Sequence, residues 1–106
     1  MAAKIASKTR VYRDMKKFLN EVIYIIKDFP KDQRYVVGDR IERTAIDSLH
    51  IIARVYMGKD LKTRIADMVE LQSNFELLNT LIEIAGEHQW IKGRGKLANL
   101  LLLMDS

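Results

Sequence analysis

The sequence contains no cysteine, a single proline and only five glycines. Without cysteine the chain cannot form disulfides, thiolate metal sites or a cysteine nucleophile. No apolar run approaches the roughly 20 residues needed to cross a bilayer. The longest, Leu100–Met104, lies at the wrong end for a signal peptide. These absences fit a reducing compartment, and we take a cytoplasmic protein with no membrane partner as the expectation.

The rest of the composition is typical of a globular chain. Apolar residues make up 48% and charged residues 30% of the 106 positions, enough for one domain with one core. The net charge of +4 is uneven, at +5 for residues 1–35, −3 for residues 36–90 and +2 for residues 91–106. Such asymmetry allows nucleic-acid contact from one face or head-to-tail pairing between subunits. Net charge alone does not choose between them.

Apolar residues recur at helical spacing along the whole chain, and we predict helices at about 7–29, 31–57, 60–87 and 96–104. The first stripe is Val11, Met15, Phe18, Val22, Ile25 and Phe29. The inner face of the third is predicted at Leu61, Ile65, Met68, Phe75, Leu78, Ile82 and Ala85. Short links make consecutive helices antiparallel neighbours. The predicted fold is therefore all-α, a single up-down antiparallel four-helix bundle over residues 1–106.

Three local features refine this prediction. Pro30 ends the first helix, because proline disfavours helical geometry in the residue before it. Gly38 lies inside the second helical pattern, where we interpret it as a close contact between helices, and Gly58 is placed as a stop. The fourth segment is apolar around most of its surface at Leu100–Leu103, which indicates a partner subunit.

The chemistry of an enzyme is missing from the sequence. The two histidines, His50 and His88, have no metal-binding motif around them and are expected to be structural or surface residues. No serine lies in a nucleophile elbow. The turn Gly93–Lys96 lacks a complete phosphate-loop pattern, although a basic turn before a helix could hold one phosphate. We expect no enzyme, no metal and no cofactor.

Basic side chains in the first two helices are the candidate functional groups. Arg10, Arg13 and Lys17 share one helical face. Nine positions are predicted to contact nucleic acid or a protein partner: Arg10, Arg13, Lys16, Lys17, Lys27, Lys31, Arg34, Arg40 and Arg43. Binding of this kind neutralises the charge of the phosphates. It weakens as the salt concentration rises and has little sequence specificity. An ordinary solvated face is the alternative, and most tyrosines and Trp90 are expected to serve packing.

One stretch carries a resemblance to a known family. Phe29-Pro30-Lys31-Asp32-Gln33-Arg34-Tyr35, followed by Val37-Gly38-Asp39-Arg40-Ile41, resembles a four-helix-bundle family with two groups. One group is encoded in intervening sequences of bacterial large-subunit ribosomal RNA genes. The other comprises the accessory variability determinant proteins of diversity-generating retroelements. The Gly-Asp-Arg-Ile motif resembles this second group more than the first. The similarity extends loosely over residues 11–91.

The resemblance implies a homopentameric assembly of bundles with a basic surface. It implies an accessory subunit that binds the element's reverse transcriptase and its template RNA or cDNA, and that supports mutagenic retrohoming without catalysis. Lys31, Arg34 and Arg40 are the positions of the motif that carry over as contacts. The alternative is a self-assembling structural or adaptor bundle of the intervening-sequence type, with no nucleic-acid role.

Overall fold

The computed structural model describes residues 9–92, and this part of the chain is helical with no strand. Its three main helices are α1 (Arg10–Ile26), α2 (Asp39–Met57) and α3 (Leu61–Glu87). The all-α prediction and the three helices predicted before residue 90 are confirmed. The predicted helix 96–104, the apolar run within it and the basic turn before it lie outside the described residues. Within residues 9–92, no helix is both long and apolar enough to cross a membrane.

Helix α1 has a single buried face and well-defined ends. The Thr9 hydroxyl accepts a hydrogen bond from the Tyr12 amide at 3.3 Å, which caps the first turn. The helix ends at Ile26, three residues before the predicted boundary at residue 29. The amides of Asp28 and Phe29 bond to carbonyls three residues back, so the chain tightens into a turn before Pro30.

The segment that leads into α2 contains a feature that the periodicity does not predict. A helical turn at Lys31–Gln33 continues into a π-helical turn at Arg34–Gly38, where the Asp39 amide donates to the Arg34 carbonyl five residues back. A Cβ atom on Gly38 would lie 2.8 Å from Cγ2 of Ile26. The predicted close contact between helices at this glycine is therefore confirmed.

The core lies where α1 and α3 both pack against α2. Helix α2 contacts both neighbours extensively, whereas among the described residues α1 and α3 approach each other in few places. The most completely buried side chains come from all three helices: Phe18, Val22, Ile25, Ile41, Ile51, Ile52, Leu78 and Ile82. Apolar burial of this kind is the main favourable term in folding.

The prediction for the inner face of α3 is only partly confirmed. Leu78, Ile82 and Ala85 are buried in the core. Leu61, Ile65 and Met68 are exposed by 68%, 53% and 56%, so their assignment to the core is wrong. At this end of α3 the side chain buried against α2 is Asp67, which pairs with Arg54, and most of the apolar surface of these turns lies away from the core.

Candidate nucleic-acid interface

A stripe of exposed residues runs along α1 on the side away from the core. We call it the α1 stripe, and its members are Arg10, Arg13, Lys17, Asn20, Tyr24 and Lys27. Their spacing alternates between three and four residues, as does that of the buried seam, so each set keeps to one face of the helix. The stripe holds four cations over about 25 Å of helix, at 1.5 Å per residue, and the carboxylates of Asp14 and Glu21 lie along its border.

The cations are densest at the start of the stripe. Arg10, Arg13, Lys16 and Lys17 border one open surface hollow of about 480 Å³, together with the carboxylate of Asp14. Arg10 Nε lies 3.7 Å from Asp14 Oδ2, and the arginine side chain is 85% exposed. Four cations against one carboxylate give this hollow a net positive charge. Exposed cations grouped in this way attract phosphate groups.

The far end of the stripe combines a cation with an aromatic ring. Lys27 Nζ lies 5.7 Å from the ring centroid of Tyr24, within the range of a cation–π contact. Tyr24 is 59% exposed. Sequence reasoning assigned most tyrosines to packing, which is wrong for Tyr24, Tyr35 and Tyr56 because all three are exposed. The three-and-four spacing from Arg10 onward would have placed Tyr24 and Asn20 on the outer face.

Two further predicted cations lie at the start of α2 in a mixed-charge setting. Arg40 and Arg43 border a separate hollow of about 250 Å³, with Asp47 and Asn74 among its other neighbours. Arg43 Nε lies 2.8 Å from Asp39 Oδ2. Nearby carboxylates offset much of this positive charge, so the second hollow is a weaker candidate for phosphate binding than the first.

The last two predicted contacts lie in the connection between α1 and α2. Lys31 is exposed in the helical turn after Pro30. Arg34 Nε donates a hydrogen bond of 3.2 Å to the Phe29 carbonyl, so this side chain helps to hold the turn that ends α1. The nine predicted cations therefore do not form one continuous surface, and the α1 stripe collects five of the nine on or beside it.

Of the two histidines, one lies on a helix surface and the other stacks on an aromatic ring. His50 is exposed on α2. The His88 ring stacks on Trp90 with centroids 5.0 Å apart and planes at 18°. Between residues 9 and 92, no three histidine, aspartate or glutamate side chains are grouped so that they could hold a metal ion.

Comparisons with protein-family models, with curated proteins and with solved structures found no significant match. The family resemblance stays a prediction from the sequence.

Proposed function

We propose that this protein is a non-catalytic accessory subunit that binds nucleic acid through the α1 stripe. The supporting observation is the stripe itself, with its cations clustered at one end and its exposed tyrosine beside a lysine at the other. Cations supply sequence-independent affinity for the phosphate backbone, and an exposed ring offers a base a surface on which to stack. Single-stranded RNA or cDNA is the proposed ligand, since its bases are accessible to side chains.

The proposed setting is a diversity-generating retroelement. There the protein binds the reverse transcriptase together with its template RNA or cDNA and supports mutagenic retrohoming. The resemblance at residues 29–41 supports this setting, and it brings with it a fourth helix and a homopentameric assembly. A pull-down of the full chain with purified reverse transcriptase, with and without template RNA, tests the protein partner. A reverse-transcriptase gene beside this one would support the same setting independently.

The RNA part is tested by fluorescence anisotropy with a labelled single-stranded RNA over a series of salt concentrations. We expect Arg13→Gln/Lys17→Gln to weaken binding and to lower the slope of log K against log salt by about 1.4, since each lost phosphate contact contributes about 0.7. The matched control, Lys59→Gln/Lys92→Gln, removes the same charge from exposed positions off α1. Equal losses in both variants would show that only net charge matters.

A second candidate function is a self-assembling structural or adaptor bundle of the intervening-sequence type. The exposed apolar side chains at the start of α3 favour it, because monomers rarely leave such side chains contiguous and uncovered. It predicts oligomers by light scattering and no RNA binding even at low salt. An rRNA gene insertion at the genomic locus would favour this reading.

A further inference from the structure

The outer face of α3 is apolar at its beginning. Leu61, Ile65, Met68 and Val69 are each between 53% and 68% exposed. Their spacing of four, three and one places them on neighbouring lines of the same helical surface. We call these four residues the α3 patch. Large apolar side chains scattered singly are normal on a protein surface, but four close together on one side of a helix mark a binding surface.

The patch continues into an apolar groove of the fold. Met68 also borders a surface hollow of about 190 Å³ whose walls are almost entirely apolar. The hollow is lined by Val11, Ile52, Val55, Tyr56, Met68 and Leu71. The uncovered apolar surface therefore extends from the start of α3 toward α1. Its area is larger than the area that a single anchoring side chain of a partner would cover.

The exposed charges along α3 change sign from one end to the other. Lys62 and Arg64 flank the α3 patch, whereas Glu76 and Glu83 follow it on the outer face, and all four are exposed. Two α3 helices placed side by side in parallel would bring like charges together. An antiparallel pair would bring the lysine end of each helix toward the glutamate end of the other, which is favourable.

We infer that the α3 patch binds a second copy of this chain, with the two α3 helices antiparallel across a two-fold axis near Met68 and Val69. Such a contact uses the same patch on both copies and buries it twice. Lys62 of each copy then lies toward Glu76 of the other. The inference does not rest on the proposed RNA binding, since the α1 stripe takes no part, and it gives the self-assembling alternative a specific contact. If the chain also forms the pentamer that the family resemblance implies, this two-fold contact would pair the pentamers and give an even number of copies.

The absence of native cysteine permits a direct test by cross-linking. In the full chain, Val69→Cys treated with a short bismaleimide should give a covalent dimer in high yield, because the two thiols flank the axis. Leu61→Cys should not, because antiparallel packing separates the two thiols by about 23 Å along the helix direction. Ile46→Cys, at an exposed isoleucine on α2, is the control for random collision. Equal yields at all three positions would overturn the inference.

Light scattering over a concentration series supplies the second test. We expect Ile65→Glu to raise the dissociation constant at least about 100-fold, since the contact would have to bury an unpaired carboxylate. Ile46→Glu should leave it unchanged. Lys62→Glu should weaken association, and Lys62→Glu/Glu76→Lys should restore it. Both glutamate variants should keep their helical circular dichroism, because each replaces an exposed side chain.

The outcomes separate this inference from the proposed function. A wild-type chain that stays monomeric at high concentration, or an oligomer that Ile65→Glu leaves intact, would overturn the antiparallel contact. A monomer in which the Val69→Cys thiol resists maleimide would show that the chain covers its own patch, which also overturns it. RNA affinity measured on Ile65→Glu and on Arg13→Gln/Lys17→Gln reports on the α1 stripe alone.

Discussion

The two halves of α3 are held against the rest of the protein by different forces. From Leu61 to Glu70 the only buried residue is Asp67, and two ion pairs join this half of the helix to α2. Arg54 donates to Asp67 Oδ1 at 3.1 Å and to Glu70 Oε2 at 3.2 Å. From Leu71 to Glu87 the helix buries three apolar side chains in the core. One continuous helix is therefore anchored by charge at its beginning and by apolar burial at its end.

This difference shows how burial and function are divided along a single element. The second half contributes to stability, and its outer face is polar and acidic. The first half contributes little apolar burial and leaves its apolar residues at the surface. Local stability follows the density of buried apolar contacts, so the start of α3 should open more readily than its end. A helix of this kind can offer one end to a partner without loosening the core.

Replacement of a core leucine in the second half should have the largest effect on stability. Leu78 is fully buried, so Leu78→Ala should lower the free energy of unfolding by about 2–5 kcal/mol through lost burial and the cavity left behind. Ile65→Ala in the first half should change it by no more than about 0.5 kcal/mol in the monomer. Urea denaturation at low protein concentration measures both. Similar losses in the two variants would refute the contrast between the halves.

The polar anchor of the first half should rank second. The Asp67 side chain is 12% exposed and receives the Arg54 guanidinium. Asp67→Ala should cost about 1–3 kcal/mol, because it leaves the Arg54 charge without its more buried partner. The Glu70 side chain is 53% exposed, so Glu70→Ala should lower the free energy of unfolding by at most about 0.5 kcal/mol. If Glu70→Ala were the more damaging change, the bridge would depend on the exposed pair.

The sequence predicted α1 more accurately than α3 for a physical reason. Periodicity identifies which side of a helix is apolar, but it carries no information on what lies opposite that side. In α1 the apolar residues from Met15 to Ile25 are all buried in the same core. In α3 the apolar stripe continues past the end of the packed core, so Ile65 and Met68 follow the same pattern as Ile82 and yet remain exposed.

Other features depend on tertiary contacts that a pattern of residue types does not encode. The π-helical turn at Arg34–Gly38 adds a residue to one turn, and no propensity distinguishes it from α-helix. The candidate cations were predictable as exposed residues, but their division between the α1 stripe and a separate hollow at Arg40 and Arg43 was not. The bridge from Arg54 to Asp67 joins residues 13 positions apart, across a turn whose geometry decides whether they meet.

The smallest effect is expected at the very end of α3, where the helix terminates on a strained residue. Gln89 has φ of 60°, and the bonds from Gln89 N to Gly86 O and from Trp90 N to Ala85 O form a Schellman motif, in which glycine is the usual residue. Gln89→Gly should therefore raise the free energy of unfolding by about 0.5–1 kcal/mol, since the left-handed conformation costs glycine least. Gln89→Ala removes the same side-chain contacts and keeps the strain, so it should give no gain. Thermal denaturation of the two variants side by side measures the difference. An equal gain in stability in both would mean that the Gln89 side chain, rather than its backbone conformation, destabilises this end of the helix.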